Sequence, residues 1–411
     1  MDKTSAFLQS ELEPGEAGVL IRPPVELVKA GIAEKDEYWR ASGALYGQRE
    51  APRRWRRTLR EWLMTKGLKV SERDDDVYFG SDLVVLVFVD DILALGPEST
   101  TSWFMRELRA RFRCGVDHDV DRFIGIEIER HGRCLKLHQK EAISRLLRQY
   151  GMDEANSSHL PGEGGTRLDM SDVDGESEGT KLSESEQSDF RSLVGSLMYI
   201  ACNTRPDIMY QTGALSRFMK QAHTVHVVAA KRVLRYLRGT QDLGIWLGQK
   251  GQATVKIGEE PVVWTDSDWN TPRSTSGGIV MVDGPIRWWS RKQPVPALSS
   301  TEAEIIASSE AAREGRVIEF QVDEFRCVAS NESKTGGPTC IGDNVATTLI
   351  ARLEATRKRV KHLETRHFYV CSLSHWEYQR TETSNNMADA LTKNLKSWTS
   401  FSGFRNRMGV A

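Results

Sequence analysis

The apolar run at residues 83–95 is interrupted by two adjacent aspartates. Seven apolar residues, 83–89, precede Asp90 and Asp91, and the apolar residues 92–95 follow before Gly96. Two short apolar runs around a polar pair predict a β-hairpin with the aspartates at its tip. Two like charges side by side do not favour folding, whereas Mg²⁺ prefers carboxylate oxygens and neutralises their repulsion. The pattern leaves two interpretations open, an ordinary acidic turn and a metal site.

Apolar residues at helical spacing predict helices at 51–63 and 229–240, and a further basic helical segment lies at 356–367. In the first helix, Trp55, Leu59, Trp62 and Leu63 share one face, and five arginines lie outside it: Arg53, Arg54, Arg56, Arg57 and Arg60. Such cationic faces suit a phosphate backbone, and the alternative for each is a solvated helix face. The candidate nucleic-acid ligands are Arg53, Arg54, Arg57, Lys231, Arg235, Arg238, His362 and His367.

The C-terminal part follows a second pattern. Strand-like runs occupy 261–270, 276–284 and 285–294, a helix follows at 299–320, and further strands are predicted at 338–344 and 375–381. A last helix is predicted from residue 385. With the basic helical region between the last two strands, this is the element order of the ribonuclease H fold.

Four carboxylates fall at defined points of that order. Asp266 lies on the first strand, Glu304 in the long helix, Asp343 at the end of the fourth strand and Asp389 at the start of the last helix. Each has a structural explanation by itself, such as helix capping or exposure. Together they predict one metal-binding cluster. Glu302 and Glu304 point about 200° apart on a helix, so only one of them faces the metals.

Composition narrows the classes of protein. The chain has 411 residues, of which 39% are hydrophobic and 27% charged, as expected for two or three globular domains. No apolar stretch has bilayer length and no basic-then-apolar leader is present, which predicts an intracellular protein of the cytoplasm, the nucleus or both. The 6 cysteines lack CxxC spacing, so neither a disulfide framework nor a zinc site is indicated. The acidic stretch 168–189 has few apolar side chains and predicts a solvated linker.

Four segments of the N-terminal half occur in the order "DKTSAFLQSELE", "ALYGQREAPRRW", "VFVDDILALG" and "FIGIEIER". Together they closely resemble the reverse transcriptase of copia-type retrotransposons. The resemblance implies that Asp2 and Asp90 bind two Mg²⁺, with Asp91 in support. It also implies that Phe7 is the steric gate that favours deoxynucleotides and that Gln48 contacts the incoming base pair.

A complete enzyme of that family carries a fingers region before its first catalytic aspartate, which here is Asp2. The resemblance therefore implies a polymerase half without fingers, whose DNA synthesis is impaired. A second subunit or a longer polyprotein would supply the missing part.

Six further segments lie in the C-terminal half: "TDSDWN", "STSGG", "LSSTEAEIIA", "GDN", "KRVKHLETRHF" and "NMADALTK". They closely resemble the copia-type ribonuclease H. The resemblance implies that Asp266, Glu304, Asp343 and Asp389 bind two Mg²⁺, with Mn²⁺ as an alternative, and hydrolyse the RNA strand of an RNA–DNA hybrid.

The resulting prediction is a multidomain chain of the α+β and α/β classes. It comprises a partial polymerase palm (1–100), a thumb-like segment (101–160), an acidic linker (161–188), a helical connection (189–250) and a ribonuclease H-like domain with a five-stranded mixed sheet (258–411). The predicted partners are an RNA template with a DNA primer, deoxynucleoside triphosphates and RNA–DNA hybrids, without a membrane. Two alternatives stay open: an inactive or domesticated nucleic-acid-binding remnant, and an integrase-like strand transferase.

Overall fold

The computed structural model describes residues 6–10, 18–41, 43–115, 119–164, 168, 180–248, 260–270, 272–329, 336–352 and 365–411. The chain divides into two compact units. The first unit comprises Met1–Ile124 and Glu324–Glu332, and the second comprises Gly125–Asp323 and Ser333–Ala411. Within the described ranges, no helix is both long enough and apolar enough to cross a bilayer.

The elements of the first unit are a 3-10 helix (Ala6–Gln9), β1 (Leu20–Ile21), α1 (Val25–Lys29), β2 (Trp39–Arg40), α2 (Ala51–Thr65), β3 (Lys69–Val70), β4 (Val77–Phe79), β5 (Val84–Phe88), β6 (Asp91–Leu95), α3 (Glu98–Arg111) and β7 (Arg122–Phe123). Four of the strands form an antiparallel sheet in the order β3-β4-β5-β6. Trp55, Leu59 and Leu63 of α2 are buried against this sheet and α3, which confirms the predicted apolar face.

Residues after 323 also contribute to the first unit. The Glu324 carboxylate accepts hydrogen bonds from Ser71 Oγ at 2.6 Å and from the Glu72 backbone N–H at 2.8 Å. The Phe325 ring packs edge-on against Phe79, with the ring centroids 5.1 Å apart. These contacts hold the segment against β3 and β4.

The second unit begins with a helical region and a small antiparallel sheet. Its elements up to residue 247 are β8 (Ile126–His131), β9 (Cys134–His138), α4 (Lys140–Gln149), α5 (Glu184–Asn203), a 3-10 helix (Pro206–Ile208), α6 (Met209–Ser216), α7 (Thr224–Arg238) and β10 (Ile245–Leu247). Helix α5 begins within the segment for which we predicted a linker. Ser183 accepts a hydrogen bond from the Glu186 N–H, and the Glu186 side chain accepts one from the Ser183 N–H, so a capping box starts the helix at Glu184.

The rest of the second unit has the mixed five-stranded sheet that the sequence predicted. Its elements are β11 (Val262–Asp268), β12 (Thr275–Met281), β13 (Pro285–Lys292), α8 (Ser300–Ala329), β14 (Thr339–Gly342), α9 (Val345–Ala351), a 3-10 helix (Thr365–Ser372), β15 (Glu377–Arg380), 3-10 helices at Thr383–Asn385 and Met387–Leu391, and α10 (Trp398–Arg407). The strand order is β13-β12-β11-β14-β15. Strand β11 is antiparallel to β12 and parallel to β14. This is the ribonuclease H-like arrangement, and it confirms the predicted fold class.

One predicted element is wrong. We predicted the last helix from residue 385, with Asp389 at its start, but residues Met387–Leu391 form a 3-10 helix and α10 begins only at Trp398. The cause is a tertiary contact: the Asn386 side-chain amide donates to the Thr265 carbonyl of β11 at 3.0 Å, and its oxygen accepts from the Ala388 N–H at 3.2 Å. Anchored in this way, the segment makes a tight turn against the sheet.

A buried ion pair lies in the helical part of the second unit. Arg205 and Asp207 are both fully buried, with Nη2 and Oδ2 2.7 Å apart, and Tyr236 donates its hydroxyl proton to the same oxygen at 2.5 Å. Burial favours protonated Asp207, but the charge and hydrogen bonds of Arg205 and the bond from Tyr236 outweigh it and leave the pKa of Asp207 below its ordinary value. The pair depends on both partners, because either charge alone would stay buried and uncompensated.

We expect Arg205→Met to lower the free energy of unfolding by about 3–5 kcal/mol, because Asp207 loses its counter-charge. Urea unfolding followed by circular dichroism measures the loss. The double variant Arg205→Met/Asp207→Leu should recover part of it. The control is Lys140→Met, which breaks the exposed 2.6 Å pair with Asp242 and should leave the unfolding midpoint unchanged. Equal midpoints for Arg205→Met and Lys140→Met would contradict the expectation.

Candidate metal centres

Three aspartates of the second unit converge on one point. Carboxylate oxygens of Asp266, Asp343 and Asp389 all lie within 4.8 Å of one another. Asp266 is on β11, and Asp343 directly follows β14, the parallel neighbour of β11. The register pairs Trp264 with Ile341, so Asp343 falls level with Asp266. Asp389 is brought to the same place by the 3-10 helix that follows Asn386.

Glu304 borders this cluster from α8. Its Oε1 atom accepts a hydrogen bond from the Ser267 backbone N–H at 3.3 Å, at the carboxyl end of β11. Glu302 has a different task, since its Oε2 accepts from the Leu298 N–H at 2.8 Å, before the first turn of the helix. The two glutamates therefore point to different places, and Glu304 is the one directed at the sheet.

The cluster is electrostatically crowded. Burial, and then the charge of Asp389, raise the pKa of Asp266 to about 7. Burial, followed by the charges of Asp266 and Asp343, raises the pKa of Glu304 well above its ordinary value. Burial also raises the pKa of Asp389, although Lys393 opposes the shift. The carboxyl groups cannot all be ionised here at low cost without added positive charge.

The side chains fit a divalent metal. Carboxylate oxygens are the ligands that Mg²⁺ and Mn²⁺ favour. In addition, the Oδ1 atom of Asp389 is buried without a hydrogen-bond partner among the described residues. A cation at this point would satisfy that oxygen and relieve the repulsion between the aspartates.

Several neighbours of the cluster were missed by sequence reasoning. Thr392 donates its hydroxyl proton to Asp266 Oδ2, and Thr383 donates to Asp343 Oδ2 at 2.8 Å. The Lys393 ammonium lies 2.9 Å from Asp389 Oδ2. A signal for Lys393 was present in the sequence, because an acidic and a basic residue four positions apart commonly pair.

The first unit carries the predicted hairpin. Strands β5 and β6 pair from Val84 with Leu95 to Phe88 with Asp91, which confirms the hairpin and leaves Val89 and Asp90 as its turn. Val89 has a φ of 52°, a left-handed conformation that is unfavourable for a β-branched residue. The Trp55 indole N–H of α2 donates to the Val89 carbonyl at 2.8 Å and holds this turn.

Other predicted residues of the first unit lie around the same core. Phe7 packs against that core, and its ring centroid is 5.0 Å from that of Tyr46. Gln48 accepts a hydrogen bond from the Leu45 N–H at 3.2 Å, while its amide nitrogen is buried without a partner in the described part of the chain. Asp2, the predicted partner of Asp90, lies outside the described residues.

The candidate cations are distributed over separate helices. On α2, Arg53 and Arg57 lie 3.8 Å and 3.9 Å from glutamates of the same helix region, Glu50 and Glu61. On α7, Lys231 is exposed, and Arg238 donates to the Asp153 carbonyl at 2.8 Å. The remaining candidates Arg54 and Arg235 are half-buried on the same two helices. His362 lies outside the described residues, and His367 is described only as part of the backbone of a 3-10 helix.

A titration should reveal the crowding at Asp266. The pKa of Asp266 is about 7 in the folded state, whereas the ordinary value of 3.8 applies to the unfolded chain. The folded state therefore binds this proton more tightly, so the proton contributes stability that is fully present below about pH 4 and is lost as the pH rises to 7. Asp266→Asn cannot lose that proton. In EDTA, we therefore expect the unfolding free energy of the variant, relative to that of the wild type, to rise by about 1–4 kcal/mol between about pH 4 and pH 8.

The measurement is urea unfolding at the two pH values. The control is Asp153→Asn, at an exposed aspartate of the same unit. Its unfolding free energy should change with pH as that of the wild type does. A pH-independent difference between Asp266→Asn and the wild type would show that Asp266 is not protonated in the folded protein.

Comparison with known proteins gives the following matches. Residues 1–163 match the family described as reverse transcriptase (RNA-dependent DNA polymerase). The chain is 32% identical over 426 residues to the retrovirus-related Pol polyprotein from transposon RE1 of Arabidopsis thaliana, covering 100% of this chain and 27% of that protein. It is 28% identical over 413 residues to the Pol polyprotein from transposon TNT 1-94 of Nicotiana tabacum, covering 96% and 29%. The chain thus spans little more than a quarter of the length of these relatives.

A solved structure of the foamy viral protease-reverse transcriptase in complex with an RNA/DNA hybrid is also similar. The match has a TM-score of 0.44 and 11% sequence identity, and it covers 93% of this chain and 46% of the viral chain.

Proposed function

Because the chain belongs to the copia-type family of retrotransposon Pol polyproteins, we propose that its second unit hydrolyses the RNA strand of RNA–DNA hybrids. The observation that carries the proposal is the convergence of Asp266, Asp343 and Asp389 on one point of a ribonuclease H-like sheet, with Glu304 beside them. These four side chains would hold two Mg²⁺ or Mn²⁺. When bound, such a pair supplies Lewis-acid chemistry for phosphodiester hydrolysis.

Neighbouring side chains and the sheet fix the positions of the aspartate carboxylates. Asp266 is fixed by its central strand and by the hydrogen bond from Thr392. Asn386 ties the Asp389 segment to the Thr265 carbonyl, and Thr383 orients Asp343. Ligands held by rigid strands and by neighbouring hydrogen bonds lose little entropy when a metal binds. The substrate would be recognised by the shape of the hybrid and by its 2′-hydroxyls.

The first unit would carry RNA-directed DNA synthesis. Asp90 and Asp91 at the hairpin, together with Asp2, are its proposed catalytic carboxylates. Phe7, beside Tyr46, is the proposed steric gate. The amide nitrogen of Gln48, which has no hydrogen-bond partner among the described residues, is the proposed contact for the incoming base pair. The substrates would be an RNA template with a DNA primer and deoxynucleoside triphosphates. Arg53, Arg54 and Arg57 on α2, and the cations of α7, would contact phosphates.

The domain limits also remain proposals. They are a palm at 1–100, a thumb-like segment at 101–160, a linker that ends before the capping box at Ser183, a connection from α5 to residue 250 and a ribonuclease H-like domain at 258–411. A second subunit or a longer polyprotein is a further proposed partner. The alternative is an inactive remnant that binds nucleic acid, which would bind an RNA–DNA hybrid without cleaving it.

Glu304→Gln should reduce Mg²⁺-dependent cleavage of a labelled RNA–DNA hybrid on the order of 100-fold or more, because the site loses a charged oxygen ligand. Glu302→Gln is the matched control, since it makes the same change two positions earlier on the same helix, at a side chain that accepts a hydrogen bond from the Leu298 N–H instead. It should cleave like the wild type. If Glu304→Gln cleaves at the wild-type rate, the proposed nuclease centre is wrong; a folded wild-type chain that binds hybrid without cutting it would favour the remnant.

Asp90→Asn should abolish primer extension on an RNA template while hybrid cleavage continues, because the two centres use separate carboxylates. Asp82→Asn, at an exposed aspartate before the same hairpin, is the control and should extend primers at the wild-type rate. The assay requires primer extension by the wild-type chain as its reference. If Asp90→Asn extends primers at the wild-type rate, Asp90 is not a catalytic residue of the polymerase centre.

A further inference from the structure

Lys393 lies at the edge of the aspartate cluster. Its Nζ atom is 2.9 Å from Asp389 Oδ2, and its backbone N–H donates to the Asp389 carbonyl at 3.3 Å. The Asp389 side chain is only 6% exposed, whereas that of Lys393 is 39% exposed. The lysine therefore reaches from a partly open position toward a buried carboxylate.

Lys393 brings one positive charge to this group of carboxylates, because a lysine side chain carries an ammonium at neutral pH. Among the charges that act most strongly on Asp266, Lys393 is positive, whereas Asp389 and Asp343 are negative. A single ammonium thus offsets part of the repulsion in a cluster of four carboxylates.

A divalent metal at the cluster would share the Asp389 carboxylate with Lys393. Asp389 has two carboxylate oxygens, of which Oδ2 pairs with Lys393 and Oδ1 is buried without a partner among the described residues. A metal ion held by Asp266, Asp343 and Asp389 would lie close to the ammonium, and two cations that share one carboxylate repel each other. Lys393 and the metals therefore compete for the negative charge of the cluster.

We propose that Lys393 is an internal counter-cation, which stabilises the aspartate cluster in the metal-free protein and is displaced from Asp389 when metal binds. This inference rests on the proposed metal centre and adds a regulatory residue to it. Lys393 sets how much metal is needed to fill the site, because metal binding must replace the lysine–aspartate pair.

A purely structural role makes the opposite prediction. If Lys393 only holds Asp389 in the right position for metal, its removal leaves that ligand less well ordered and weakens metal binding. If it is a competing cation, its removal strengthens metal binding and destabilises the metal-free protein. The two roles therefore differ in the sign of the change in metal affinity.

The experiment is calorimetric titration of Mn²⁺ into the metal-free full chain, together with thermal unfolding in EDTA. Lys393→Met removes the charge and keeps the length of the side chain. We expect it to bind Mn²⁺ about three- to tenfold more tightly than the wild type and to unfold at a lower temperature in EDTA. Lys393→Arg keeps the charge and should bind Mn²⁺ with wild-type affinity. Lys140→Met removes a cation from a distant exposed ion pair of the same unit and should also match the wild type.

Weaker or unchanged Mn²⁺ binding by Lys393→Met would overturn the proposal while leaving the metal centre intact. A wild-type chain that binds no Mn²⁺ would overturn both. If Lys393→Met does not fold in EDTA, Lys393→Gln is titrated in its place, and folding of Lys393→Met on addition of Mn²⁺ would support the counter-cation.

Discussion

Three aspartate carboxylates of the second unit, two of them buried (Asp266 and Asp389) and one half-buried (Asp343), lie beside one another, and this arrangement is the constraint on which the rest of that unit depends. Removing a carboxylate from water is unfavourable, and a neighbouring negative charge adds to the cost. Packing therefore does not explain Asp266, Asp343 and Asp389 at one point. The protein meets the cost with structure: a central strand bonded on both sides, a parallel neighbour in register, and hydroxyl and amide donors around the cluster.

The first unit contains an unfavourable backbone conformation next to its paired aspartates. Val89 occupies a left-handed conformation at the tip of the β5–β6 hairpin, which costs about 1–3 kcal/mol. The hydrogen bond from Trp55 and the packing of α2 keep the turn in place. The result is a tight turn that carries Asp90 and is followed at once by Asp91, the first residue of β6. In the first unit the unfavourable feature is the backbone conformation of Val89, whereas in the second unit it is the closeness of the aspartate carboxylates.

The sequence was informative where local periodicity decides the structure. Alternating apolar runs predicted β11, β12 and β13, the helical period predicted α2 with Trp55 inside, and the apolar run around Asp90 predicted the hairpin. Prediction failed at residues 387–391, because the hydrogen bond from Asn386 to the Thr265 carbonyl joins residues far apart in sequence. The start of α5 was missed for another reason: the Ser183–Glu186 capping box is a local signal, but the acidic composition around it favoured a linker.

The two centres differ in how a metal would affect stability. At the hairpin, a left-handed backbone conformation of Val89 adds to the repulsion between the adjacent Asp90 and Asp91, and a cation would relieve only the repulsion. At the aspartate cluster the cost is repulsion among buried charges, which a cation relieves directly. Any cation that binds the folded cluster more tightly than the unfolded chain must stabilise the fold. Metal binding at the proposed centre would therefore be linked to folding of the second unit, and Lys393 would take part in that linkage because its ammonium lies beside the same carboxylate.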